Sequence, residues 1–154
     1  MAKTCFVITP IGSEESEIRR EADGVIDAVI EPVLKEQGIE MEVAHRITKS
    51  GSITTQVIQH VIEADLVIAN LTSLNPNVMY ELAIRHAVRK PLVQMCEKDT
   101  VLPFDINEQR TIFYSNDMKG VVELKNILEG MISSALEDQK PDNPIYKAVQ
   151  DNIV

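Results

Sequence analysis

Two periodicities alternate along the chain. The runs "TCFVITP" (Thr4 to Pro10), "DLVIANL" (Asp65 to Leu71) and "PLVQMCE" (Pro91 to Glu97) are short, nearly continuously apolar and bounded by turn residues, as buried strands are. Between them, apolar residues recur at three- and four-residue intervals. From Ser13 to about Gln37, one helical face carries Ile18, Ala22, Val25, Ile26, Val29, Ile30 and Val33, and these are expected inside. Pro32 should kink or split that helix, and Gly38 should stop it. "IEMEVAHRI" (Ile39 to Ile47) alternates apolar and polar residues, like a strand with one wet face. A second helix is expected from a cap at Ser52, with Ile53, Val57, Val61 and Ile62 inside. A third follows "NPN" at Asn75 to Asn77. After the polar link "KDTVLPFDINEQ" come the strand "RTIFYS" and a helix from Met118 to about Leu136. The tail holds two prolines and little periodicity, with "IYKAV" the segment suited to docking.

The order β-α-β-α-β-α-β-β-α predicts an α/β domain over residues 1–138, followed by a C-terminal tail, 139–154. Helices between the first four strands imply a mostly parallel, five-stranded flavodoxin-like (Rossmann-like) sheet, order 2-1-3-4-5, covered on both faces. Ligands of such sheets bind beyond the carboxyl ends of the strands, where the order reverses between the first and third. "TPIGS" and "NLTSLNPN" border that crevice.

Composition narrows the picture in a few places. A chain of 154 residues with 44% hydrophobic and 25% charged residues suits one soluble globule. No apolar run approaches the ~20 residues of a membrane span, and the N-terminus lacks the build of a signal peptide, so a cytoplasmic location is expected. Cys5 and Cys96 fall inside strands and read as small buried hydrophobes. His45, His60 and His86 share no ligand spacing, so no metal and no other cofactor is expected. A net charge of −9 disfavours a duplex nucleic-acid surface but not a small anion in a local pocket.

The candidate chemistry lies in the two loops. Asn75 suits an N-cap and Pro76 a first helical residue, so the amides of the first turn should face the crevice, where helix starts bind anions. Glu81 lies just over one turn deeper beside Val78 and Leu82. The positive helix end favours its ionised form, and a carboxylate there could attack an anomeric carbon or stabilise an oxocarbenium-like centre. The plainer reading is a surface ion pair with Arg85, four residues on. In the first loop, Gly12 permits close backbone approach and Ser13 is a candidate cap, while Glu14 and Glu15 repel anions. Arg19 and Arg20 are solvated or reach back over that loop. "GSIT" (Gly51 to Thr54) is a capping turn or a further anion site.

In "FVITPIGS", "ADLVIANLT" and "NVMYELAIRHAVRKP" the sequence resembles the nucleoside 2-deoxyribosyltransferase-like superfamily, over about residues 3–135. Within it, the chain looks most like the branch of 2′-deoxynucleoside 5′-monophosphate N-hydrolases. The resemblance implies Glu81 as the catalytic glutamate, Asn75 and Asn77 at the 5′-phosphate, and sugar or base contacts at Thr9, Ile11, Gly12 and Ser13. It also implies a homodimer whose partner completes the pocket from the segment around Phe104, Asp105 and Arg110. Thr72 and Asn75 stand where the transferase branch carries aspartates, which favours hydrolysis over base exchange. Gly12 stands where the hydrolases often carry arginine. TIR-like NAD-cleaving domains also place a glutamate after the third strand, and a non-catalytic nucleotide sensor on the same fold is a further alternative.

Overall fold

The computed structural model describes residues 2–12, 15–46, 53–103, 106, 110–143, 145, 146 and 148. Its elements are β1 (Thr4–Ile8), α1 (Glu17–Val25), a π-helical turn (Ile26–Ile30), α2 (Glu31–Glu36) and β2 (Glu40–Val43). There follow α3 (Ile53–Glu63), β3 (Leu66–Asn70), α4 (Pro76–Val88), β4 (Leu92–Glu97), β5 (Thr111–Tyr114) and α5 (Met118–Glu137). The five strands form one all-parallel sheet in the order β2-β1-β3-β4-β5. This is the expected flavodoxin-like order. β3 is its centre, and all five of its residues are buried.

The period-2 alternation of the strands divides the core into two layers. Cys5, Val7, Leu66, Ile68, Val93 and Met95 face Ile26, Ile30, Leu34, Leu124, Leu128 and Ile132. The π-helical turn, α2 and α5 therefore cover one side. Phe6, Ile8, Val67 and Ala69 face Val57, Val61, Val78 and Leu82, so α3 and α4 cover the other. Each fully buried Val, Leu, Ile, Phe or Met among them contributes about 1.5–3 kcal/mol of transfer free energy. Cys5 and Cys96 are buried free thiols in these layers. No helix among the described residues is long and apolar enough to cross a membrane.

Several boundaries differ from the sequence reading. The first helix begins at Glu17 and not Ser13, because Ser16 caps it: its hydroxyl accepts from Arg19 N at 3.1 Å. Pro32 does not end the helix, and the run is divided there into α1, the π-helical turn and α2. The proline has no N–H for the carbonyl four residues back, and the preceding turn widens so that Glu31 N reaches Ile26 O. The second strand ends at Val43, and Ala44–Arg46 turn into a 3-10 helix. There Arg46 bonds Asp23 and Asp27, and His45 bonds Asp23, tying the edge of the sheet to α1. Ile18 and Ile62 were expected inside and are 50% and 37% exposed.

The start of the tail docks. Arg89 donates to Pro141 O and Asp142 and lies 4.2 Å above the Tyr146 ring, while Asn143 donates to His86 O. The tail thus packs on the C-terminal end of α4.

Candidate active site

Asn75 caps α4 as its sequence position suggests. Its Oδ1 accepts from Asn77 N at 2.9 Å and from Val78 N at 3.3 Å. Pro76 has no N–H, and Met79 N donates to Asn75 O. The amides of this first turn are therefore not free to hold an anion, contrary to the sequence expectation. The helix stabilises itself with its own cap.

Glu81 sits on the second turn of α4, half-buried. Side chains of a helix lean toward its N-terminus, so the carboxylate is carried back toward the crevice end of α4. Among the described residues it makes no hydrogen bond and no ion pair. Burial pushes its carboxyl up to about 7. Near neutrality it is thus shared between acid and carboxylate, and desolvation outweighs the ~0.3–1 kcal/mol that the helix end supplies to the ionised form.

The ion pair with Arg85 does not form. Arg85 is fully buried, donates from Nε and Nη2 to Pro91 O and from Nη1 to Val61 O, and so fastens α4 to α3 and to the start of β4. Burial pushes the guanidinium down to about 10, and it stays charged near neutrality. His86, one residue on, bonds Gln94, which donates to Thr111.

A small cleft of about 30 Å³ opens at the carboxyl edge of the sheet, on the α1 side of the loop after β3. From α1 come Ile18, Glu21 and Ala22; the loops after β1 and β3 supply Pro10, Thr72 and Ser73. Asn70, Glu97, Tyr114 and Asn116 close it. A hydrogen-bonded chain forms its base. The Thr72 hydroxyl donates to Asn70 Oδ1 at 2.7 Å and accepts from Glu97 N at 3.0 Å, and Asn70 Nδ2 donates to Tyr114 OH at 3.0 Å. Tyr114 is raised by burial and stays protonated. The Glu97 carboxyl is raised first by burial and then by the charge of Glu21, against a hydrogen bond from Asn116.

Of the residues expected at the site, Thr72 lines this cleft and Glu81 does not. Thr9 is 6% exposed, and its hydroxyl is buried without a partner, one residue before the Pro10 wall. Arg19 reaches back over the first loop and donates to Ile11 O at 3.1 Å. Gly12 is exposed at φ +59, with Ser16 Oγ 2.7 Å from where a Cβ would stand, so an arginine at this position would be strained. Asn77 is exposed at the start of α4. Ser13 and Asp105 lie outside the described residues, as do Ser52 and Phe104. The sequence reading missed Asn70, Glu97, Tyr114 and Glu21. The available signal was Asn70, a polar residue at the end of an otherwise apolar central strand.

No protein-family model and no curated protein matches the sequence. Solved structures do match the fold. A 2-deoxyribosyltransferase from Leishmania mexicana is 15% identical, with a TM-score of 0.55 over 88% of this chain and 97% of that one. A 2-deoxyribosyltransferase from Bacillus psychrosaccharolyticus, described as a biocatalyst for nucleoside synthesis, is 17% identical, with a TM-score of 0.51 over 90% and 98%. The chain shares its fold with these enzymes along nearly their whole length.

Proposed function

We propose that a chain with the fold of the 2-deoxyribosyltransferases, carrying Glu81 in this setting, is an N-glycosidase. Its substrate would be a nucleoside monophosphate or related nucleotide, and its reaction hydrolysis of the C1′–N bond. Glu81 acts as nucleophile or as stabiliser of the oxocarbenium-like centre. The observation that carries this reading is a half-buried carboxylate with no partner among the described residues, on a helix that starts at the switch point. A purely structural glutamate at such a position would be expected to keep a cation or a donor.

Thr72 and Asn75 support hydrolysis over base transfer. With the first-turn amides bonded to Asn75 Oδ1, a phosphate would rely on the side-chain N–H groups of Asn75 and Asn77. Thr9 and the Ile11–Gly12 backbone would meet the sugar, and Ser13 and Asp105 complete the proposed contacts. We also propose a homodimer in which the segment around Asp105 and Arg110 of a second copy closes the pocket.

The NAD-cleaving alternative breaks the same class of bond and keeps Glu81 in the same role. An Arg85 locked onto Glu81 would favour the sensor alternative, but each of its three guanidinium nitrogens donates to a backbone carbonyl instead. Incubation with nucleoside monophosphates, nucleosides and NAD, followed by chromatography of released base, tests the proposal. Free base from a monophosphate is expected; no release from any of them would overturn the enzymatic reading.

A further inference from the structure

One face of the molecule carries almost no charge. The exposed residues of α4 are Pro76, Asn77, Tyr80 and Ala87, and the helix's own ionic side chains are half-buried (Glu81) or buried (Arg85 and His86). On α3 beside it, the one charged residue exposed among those described is Glu63, at the helix end. The opposite side is built differently: α2 exposes Glu31, Lys35 and Glu36, and α5 exposes Lys119, Glu123 and Glu129. The solvent side of a helix is ordinarily charged or polar, and a quarter of this chain is charged (25%), so the gap over α4 is a feature of that face. Apolar surface stands in its place. Tyr80 is 62% exposed and Ile62 37%, and Val101, 81% exposed, precedes Leu102, which packs into the same core layer as α4.

We infer that this face docks a second copy of the chain, α4 against α4, about a two-fold axis that passes between Ala83 and Ile84. Tyr80 and Ala87 lie two turns apart on one outward stripe, with Ala83 and Ile84 midway between them. The midpoint is thus flanked, at equal distances, by one large exposed side chain and one small one. A two-fold contact must match a surface with itself, and here it sets each Tyr80 on the partner's Ala87. Ala83 and Ala87 are small enough to let the two axes approach to about 8–10 Å, the spacing of packed helices. Charge points to the same occupant. At a net charge of −9, two copies repel one another, and this face brings them together with the least repulsion and without desolvating an ion. The cores of protein interfaces are depleted of charge and enriched in tyrosine in the same way.

The size of the face sets the strength of the contact. A helix of 13 residues is about 20 Å long, and with α3 alongside the flat footprint is roughly 400 Å². Standard interfaces bury about 800 Å² on each partner, so the pair should be weak and reversible. The inference gives the homodimer proposed above its surface, and it is independent of the glycosidic chemistry.

Sedimentation velocity of the full chain, from low micromolar to millimolar concentration, should show monomer and dimer in reversible exchange. Ala87→Asp puts an unpaired carboxylate under the partner's Tyr80 and should weaken association at least about tenfold. Tyr80→Lys should do the same, although it changes the net charge in the opposite direction. Both are exposed helix positions, and circular dichroism matching the parent's would show that the variants fold. Tyr80→Lys with Ala87→Asp in one chain sets opposite charges across the axis twice, and should associate at least about threefold more tightly than either single variant. Val122→Asp, at an exposed position of α5, should leave association unchanged. A parent that stays monomeric throughout would overturn the inference together with the proposed homodimer, and would give the face to a different partner. A dimer that survives both single variants, or a double variant no tighter than either, would overturn the inference and leave the homodimer to another surface. Base release, measured separately, decides the glycosidase reading in every case.

Discussion

Glu81→Gln should fold as the parent does and lose glycosidic turnover by about three orders of magnitude or more, measured as released base per enzyme under saturating substrate. The amide keeps the volume and removes the charge that the reaction needs opposite C1′. Because the parent carboxyl titrates near 7, its turnover should climb as pH passes through about 7 and level off above it, with the carboxylate as the active form. Stability moves the other way. The folded protein keeps a proton on Glu81 that the unfolded chain releases near 4.5. Between those values the native state binds more protons, so stability falls as pH rises from 4.5 to 7 and is then flat. Glu81→Gln should erase that fall and be at least as stable as the parent at pH 8. Turnover surviving in a folded Glu81→Gln protein would end the catalytic assignment.

Gly120→Ala should cost about 3 kcal/mol of stability or more, read as a shift in the urea midpoint at constant slope. Gly120 is the third residue of α5, and its N–H bonds the Asp117 cap at 2.7 Å. A Cβ there would stand 1.8 Å from Ser115 O and 2.7 Å from Ser115 C. The obstacle is backbone, so it cannot rotate aside. Relief requires moving the connection between β5 and α5, and with it Tyr114 at the base of the cleft. Gly130, on the same helix, has nothing within 4 Å of its Cβ position. Gly130→Ala should therefore be neutral or stabilising by up to about 1 kcal/mol. A Gly120→Ala protein within 1 kcal/mol of the parent would show that the connection yields more easily than its packing implies.

The central strand was legible in the sequence because β3, paired on both sides and covered on both faces, tolerates no alternation: "LVIAN" is apolar until its last residue. The cap at Asn75 was legible for a similar local reason, since Asn-Pro leaves few other backbone options. Ile18 was misread because helical periodicity reports a face, not whether a neighbour covers it; α1 projects Ile18 over an open cleft. The direction of Arg85 was hidden as well. A four-residue spacing from Glu81 fits a surface pair and an inward guanidinium equally, and only the carbonyls of Val61 and Pro91, remote in sequence, decide. The base of the cleft joins residues 44 positions apart, Asn70 and Tyr114, and no local pattern announces such a partnership.

The fastening of α4 has a consequence for how it breathes. Arg85, His86 and Arg89 tie its last turns to α3, to β4 and to the tail, whereas its first amides rest on one asparagine side chain. Isolated helices fray at both ends; this one should fray from one. Amide hydrogen exchange should slow along α4 from Asn77 toward Val88, so that brief openings begin at the turn nearest Glu81. The carboxylate would then ride on the loose end of a helix whose far end acts as the fixed pivot.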